Sequence, residues 1–125
     1  YYALASWDGR FVYYSRTGSS RGIWRVPVAG GEETEVLAVP NLLGSGLAVS
    51  RRGLYYMTWR GSPLHGVADY SIHVLDLESG EVTEVFQEDG FIPWDFLAVS
   101  PADEWLLYGR QPLPVSELML VENFH

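Results

Sequence analysis

The chain has 125 residues, eighteen of them aromatic (five Trp, eight Tyr, five Phe), and sixteen acidic residues against eight basic ones for a net charge of −8. So many aromatics mark a chain that buries a core rather than a disordered segment, and the length is that of one domain. The absence of Cys excludes disulfides, iron–sulfur clusters, thiolate zinc sites and a cysteine nucleophile. All eight basic residues are Arg and none is Lys, so the clustered positive charge that direct nucleic-acid binding requires is missing. No apolar run approaches the ~18 residues of a helical membrane span. The chain starts without Met or a signal peptide, and it is expected to be a piece of a longer protein.

Along the chain, Leu4-Ala5-Ser6 leads into a polar turn with Asp8-Gly9, then the run Phe11-Val12-Tyr13-Tyr14. Asp-Gly is a strong hairpin signal, because Gly enters positive φ without a Cβ clash. The flanking residues are aromatic or β-branched, as in strands. A second hairpin follows, from Gly22–Val26 through Gly30-Gly31 to Thr34–Leu37. The pattern then repeats. Leu47-Ala48-Val49-Ser50 precedes Arg51-Arg52-Gly53 and the run Leu54–Met57, and Ser71–Leu75 turns through Glu78-Ser79-Gly80 into Val82–Phe86. A third copy begins at Leu97-Ala98-Val99-Ser100, passes Pro101–Glu104 into Trp105–Tyr108, and continues with Glu117–Val121.

The anchoring serines are 44 and 50 residues apart. Four short strands in that period form one blade of a β-propeller. The first strand after each turn is apolar at both parities, which fits a sheet covered by neighbours on both faces. The fold class is therefore all-β. The expected architecture is a β-propeller fragment of about three four-stranded blades, near residues 1–43, 44–93 and 94–125, with the outer strand of the last blade missing. A helix over residues 117–124 competes by propensity, but the β-branched residues at the equivalent positions Ile23 and Ile72 favour a strand.

The segment Ser6–Tyr14 resembles the Ser-Pro-Asp-Gly-Lys repeat signature of TolB-like, WD-repeat-like six-bladed propellers, and Ile23–Glu32 resembles the strand–turn–strand half of the same repeat. The ending Ser116–Phe124 is similar to the carboxyl terminus of multidomain bacterial proteins that carry a winged-helix or protein-kinase module upstream of such a propeller. Arg51-Arg52-Gly53 departs from the Pro-Asp-Gly pattern and is expected to be one residue shorter. The resemblance implies half of a six-bladed ring and a sensing, scaffolding or partner-binding role without catalysis, in either the bacterial cytoplasm or the periplasm.

In this arrangement the loops near 16–21, 59–69 and 110–115 share one face with the inter-blade connections near 40–46 and 89–95. Ligands concentrate on variable loops held by a rigid scaffold. The candidate binding residues are Arg16, Arg60 and Arg110, which end the second strands and suit carboxylate or phosphate. Trp59, His65, Asp69, Trp94 and Asp95 on the adjoining segments join them. Each has a structural alternative: the arginines pair with an acid such as Asp69 or Asp95, the tryptophans pack between blades, and a lone His makes a poor metal site. His73, in mid-strand, is expected to pack. No Walker loop, dinucleotide fingerprint, zinc motif or nucleophile elbow is present. No catalytic residue, metal or cofactor is therefore assigned. The expected function is a binding or sensing module for a protein or small effector. One alternative is a self-assembling half-propeller whose homodimer completes a ring; another is the accessory part of a hydrolase. The apolar flanks are expected to be covered by a second copy or by upstream blades of the parent chain.

Overall fold

A computed structural model describes residues 3–60, 68–111 and 117–122. The strands are β1 (Ala3–Ala5), β2 (Phe11–Arg16), β3 (Gly22–Pro27), β4 (Thr34–Ala38), β5 (Leu42–Val49), β6 (Gly53–Arg60), β7 (Ala68–Asp76), β8 (Val82–Val99), β9 (Trp105–Gln111) and β10 (Glu117–Glu122). A single 3-10 turn at Gly18–Ser20 is the one helical element among the described residues. All strand pairs are antiparallel. One sheet has the order β1-β2-β3-β4 and the other β10-β9-β8-β7-β6-β5. The segment that competed as a helix is strand β10, paired with β9 from Glu117↔Arg110 to Glu122↔Trp105.

The expected eleven strands appear as ten because two of them are continuous. The first part of β8 pairs with β7 as far as Phe91, and the remainder pairs with β9 from Ile92. One 18-residue strand thus passes from the outer edge of one blade to the inner edge of the next. The expected inter-blade loop near 89–95 is extended backbone, with a register shift between Pro93 and Leu97. Likewise, residues expected as loop near 40–46 lie mostly in β5, which is irregular between Leu42 and Leu47. A bulge absorbs the extra residues without breaking the strand.

The innermost strands of all three blades line one groove of about 380 Å³, bordered by Leu4-Ala5-Ser6, Leu47-Ala48-Val49 and Leu97-Ala98-Val99. That convergence of three repeated motifs on one groove makes the arrangement radial. Burial follows from it. All residues from Gly53 to Thr58 in β6 are buried. Leu54 and Tyr56 join Tyr13, Ile23 and Leu47 in the core between the first two blades. Tyr55 and Met57 join Ile72, Leu106 and Tyr108 in the core between the second and third. Alternate residues of a strand face opposite sides, so a central blade needs apolar residues at both parities.

The recurring serines close the inner hairpins. Ser6 Oγ accepts from the N–H groups of Arg10 and Phe11 at 3.1 and 3.0 Å, and Ser100 Oγ accepts from Glu104 and Trp105 at 2.7 and 3.0 Å. Ser50 Oγ accepts from Arg52 and Gly53 at 3.2 and 3.3 Å. The backbone pairs Ser6 N–H with Phe11 O, Ser50 N–H with Gly53 O, and Ser100 N–H with Trp105 O. Phe11, Gly53 and Trp105 are therefore equivalent, and the second turn is two residues shorter than the others. Gly53 is required there, because a Cβ would lie 1.9 Å from Leu75 O. In the third turn Asp103 takes the left-handed conformation (φ 57°) that Gly9 takes in the first (φ 74°).

Asp103 compensates for that strain with a bond between blades: the Tyr55 hydroxyl donates to its Oδ1 at 2.8 Å in a buried setting. Burial first, then the Asp103 bond, pushes the Tyr55 phenol well above its ordinary value, so it remains a donor. Tyr55→Phe removes the donor and leaves a carboxylate unsatisfied between blades. It should destabilise the fold by about 1–3 kcal/mol, read as a lower urea midpoint with unchanged m-value. An unaltered midpoint would show that water replaces the bond at no cost.

Candidate functional site

At the end of the blades where β2 and β6 finish, Arg16 and Arg60 are the last residues of their strands, and Arg110 is next to last in β9. They do not occupy one rung. With the turns aligned as above, Tyr14, Tyr56 and Tyr108 are equivalent. Arg16 and Arg110 lie two residues beyond their tyrosines and Arg60 lies four beyond, so Thr58 holds the matching position in the second blade. Arg16 is engaged within its own blade. Its guanidinium lies 4.0 Å from the Trp24 ring centroid and 5.9 Å from that of Tyr14, and it pairs with Glu33 at 2.5 Å. Glu33 also accepts from the Tyr14 hydroxyl at 2.5 Å. This polar group closes over Tyr14, which is only 3% exposed.

Arg60 stands opposite Asp69 across β6 and β7, which places opposite charges on neighbouring strands. Trp59 is partly buried and packs against the core between the second and third blades. Arg21, from the first blade, lies over it at 5.2 Å and donates to Leu42 O at 2.9 Å. Asn41 and Trp59 exchange two hydrogen bonds: the Trp59 N–H donates to Asn41 O at 3.1 Å, and Asn41 Nδ2 donates to Trp59 O at 2.7 Å. Sequence inspection did not single out Arg21, whose role depends on the neighbouring blade, or Asn41, whose partner Trp59 stands across the β5–β6 ladder. His65 lies outside the described residues, as do the side chains of Arg110, Trp94 and Asp95. The backbones of Trp94 and Asp95 are part of β8.

The opposite end of the blades carries the short turns and a cleft of about 440 Å³ between the first two blades. Arg25, Arg51, Arg52, Trp7 and Tyr13 are among its walls. Arg25 lies over the Phe11 ring at 4.2 Å, and Arg51 lies over the Trp7 ring at 5.0 Å. Asp8, Asp76 and Glu78 also border it; Asp8 and Asp76 are each engaged in their own turn. Asp8 Oδ1 accepts from Ser6 Oγ and Arg10 N–H, and Asp76 Oδ1 accepts from the N–H groups of Glu78 and Ser79. Those bonds hold both carboxyls below the usual range. The sequence signal for this cleft was the replacement of Pro-Asp by Arg51-Arg52 in the second repeat.

No protein-family model matches the chain, and no curated protein matches it. Among solved structures, it is similar to a protein from Bacteroides fragilis provisionally named a 6-phosphogluconolactonase. The TM-score is 0.55 at 17% identity, over 97% of this chain and 36% of that one. TolB from Acinetobacter baumannii has a TM-score of 0.44 at 10% identity, over 98% of this chain and 40% of that one. The chain thus spans well under half the length of these structures. The first likeness is one of fold. It agrees with the converging inner strands: this is an all-β, propeller-type protein.

His73 faces the first blade from mid-β7, stacked on Tyr56 at 5.2 Å and with Nε2 3.0 Å from Thr58 Oγ1. Burial lowers its pKa, against a smaller opposing effect of Glu84. Protonation therefore favours the unfolded chain. Above the unfolded value of about 6.5 the site costs nothing, and stability falls as pH drops below it. Melting temperatures between pH 7.5 and 5, measured for the wild type and for His73→Gln, should show a shallower acid decline in the variant. Parallel curves would remove His73 as the cause.

Proposed function

We propose that the chain is part of a non-catalytic β-propeller module that binds a protein or small effector through the end carrying Trp59, Arg60 and Asp69. The observation that carries this reading is the tie between blades there. Arg21 spans from the first blade onto Trp59 and Leu42 of the second, and within the second blade Asn41, just before β5, holds the Trp59 backbone on both its N–H and its carbonyl. A platform fixed in advance loses less entropy on binding, and Arg beside Trp is a frequent composition of binding hot spots. The missing catalytic motifs support a role without chemistry. Affinity purification with quantitative mass spectrometry tests the proposal. Arg60→Ala and Arg21→Ala should both lose the same partner or co-purifying effector while retaining the wild-type melting temperature to within a few degrees. Identical recovery from all three proteins would overturn it.

A second reading, self-assembly or pairing with upstream blades, is favoured by the flank of the third blade. Trp105 is 39% exposed and Leu120 55% exposed, on the face turned away from the second blade. Leu107 stands opposite Leu120 on that same face. Such a face is covered in the interior blade. Light scattering on the 125-residue chain should give a mass above that of the monomer, and Leu120→Asp should reduce it. A monomer at all concentrations would count against assembly through this flank.

A further inference from the structure

The two inter-blade gaps differ in one respect that points to a ligand. Tyr13 and Tyr55 are equivalent residues, each facing the following blade. In the gap between the second and third blades, the Tyr55 hydroxyl is met by the Asp103 carboxylate from the next turn. In the gap between the first and second, the turn from Ser50 to Gly53 is two residues shorter and has no counterpart of Asp103. Its place is the 440 Å³ cleft, with Tyr13 in the wall. The Tyr13 hydroxyl has no hydrogen bond to a described residue, and neither Arg25 nor Arg51 forms an ion pair with a described carboxylate.

Three arginines able to receive an oxyanion, Arg25, Arg51 and Arg52, line this space beside three acids, Asp8, Asp76 and Glu78, of which Asp8 and Asp76 are bonded within their own turns. A guanidinium held over an aromatic ring retains N–H groups for bidentate bonding, and those of Arg25 and Arg51 lie over Phe11 and Trp7, 4.2 and 5.0 Å from the ring centroids. The repeat does not prescribe a Trp here: the residue after the serine is Trp7 in one repeat, Arg51 in the next and Pro101 in the third. Trp7 is nonetheless 50% exposed at the mouth of the cleft, beneath Arg51. A cleft of this volume is within the range of small-molecule sites.

We propose that this cleft binds a small carboxylate-bearing ligand, its carboxylate filling the place that Asp103 fills in the neighbouring gap and received by Arg25, Arg51 and the Tyr13 hydroxyl. The site is on the end of the blades opposite Trp59 and Arg60, so it stands or falls independently of the partner face proposed above.

The experiment follows the five Trp indole N–H resonances of the 125-residue chain, with Trp7 assigned through Trp7→Phe, during titration with sodium glutarate. Sodium phosphate is a second arm, and sodium chloride of equal ionic strength is the reference. The expected result is a saturable shift of the Trp7 resonance with glutarate, weakened about tenfold or more in Arg51→Gln and reduced in Arg25→Gln and Tyr13→Phe. Arg10→Gln, whose site lies outside the cleft, should behave as wild type. Arg51 is exposed, so its variant tests binding even if Arg25→Gln fails to fold. Saturation by phosphate in preference to glutarate would overturn the carboxylate assignment. A glutarate response equal to that with chloride, or one unchanged in Arg51→Gln, would overturn the site.

Discussion

The structure depends on burial of one sheet from both sides. A β-strand shows alternate residues to opposite faces, and a blade between two others has no wet face. The run from Leu54 to Met57 meets that requirement by sending Leu54 and Tyr56 into one core and Tyr55 and Met57 into the other. The terminal blades meet the same requirement differently. The first closes its outer side with a polar lid, Arg16 and Glu33 over Tyr14, whose phenol is pushed up by burial and by the Glu33 bond. The third leaves Trp105 and Leu120 uncovered. The two flanks of the fragment are chemically unlike, one finished with charge and one apolar.

Turn chemistry converts this repeated burial into differences between gaps. The serine at the head of each hairpin accepts two backbone N–H groups whatever residue follows it, so the turn tolerates changes in length and composition. Where six residues close the hairpin, a left-handed residue is needed. When that residue is Asp103 rather than Gly9, its side chain is free to reach the preceding blade. Where the turn is shortened to four residues, the backbone of β7 comes so close that only Gly53 fits, and the reaching side chain is lost. Two residues of turn length therefore separate a sealed gap from an open cleft.

The parts of this fold legible in the sequence are those set by neighbours along the chain. The strand runs, the serine hairpins and the double parity of Phe11–Tyr14 and Leu54–Met57 are local patterns, and the structure has strands where they predict them. The segment near 89–95 was not legible. Gly90 and Pro93 are turn-forming residues in isolation, but the ladder partners that hold this segment extended, β7 and then β9, are remote in sequence. The trio Arg16, Arg60 and Arg110 was legible as a recurrence but not as a geometry. A rung is fixed by residues counted from the turn, and the shorter second turn with a longer β6 shifts Arg60 by two. The cleft was visible only as an oddity, Arg51-Arg52 in place of Pro-Asp, because its walls come from two blades.

The chain's acidity gives the arginines a particular meaning. With sixteen carboxylates and eight guanidinium groups, simple neutralisation would pair every arginine. Instead, Arg10, Arg16, Arg21, Arg25 and Arg51 each lie over an aromatic ring, and among the described residues an ion pair forms at Arg16. A guanidinium attracted to a ring face can still present an N–H edge to another partner. At Arg21 that edge is used internally, on Leu42 O. At Arg25 and Arg51 no described carboxylate takes it, although Asp8, Asp76 and Glu78 line the same cleft. Asp8 and Asp76 are held by turn N–H groups that compete for their oxygens. At this cleft, backbone amides occupy Asp8 and Asp76 while aromatic rings hold Arg25 and Arg51. The arginine edges in the gap between the first two blades can then be met by a group from outside the chain.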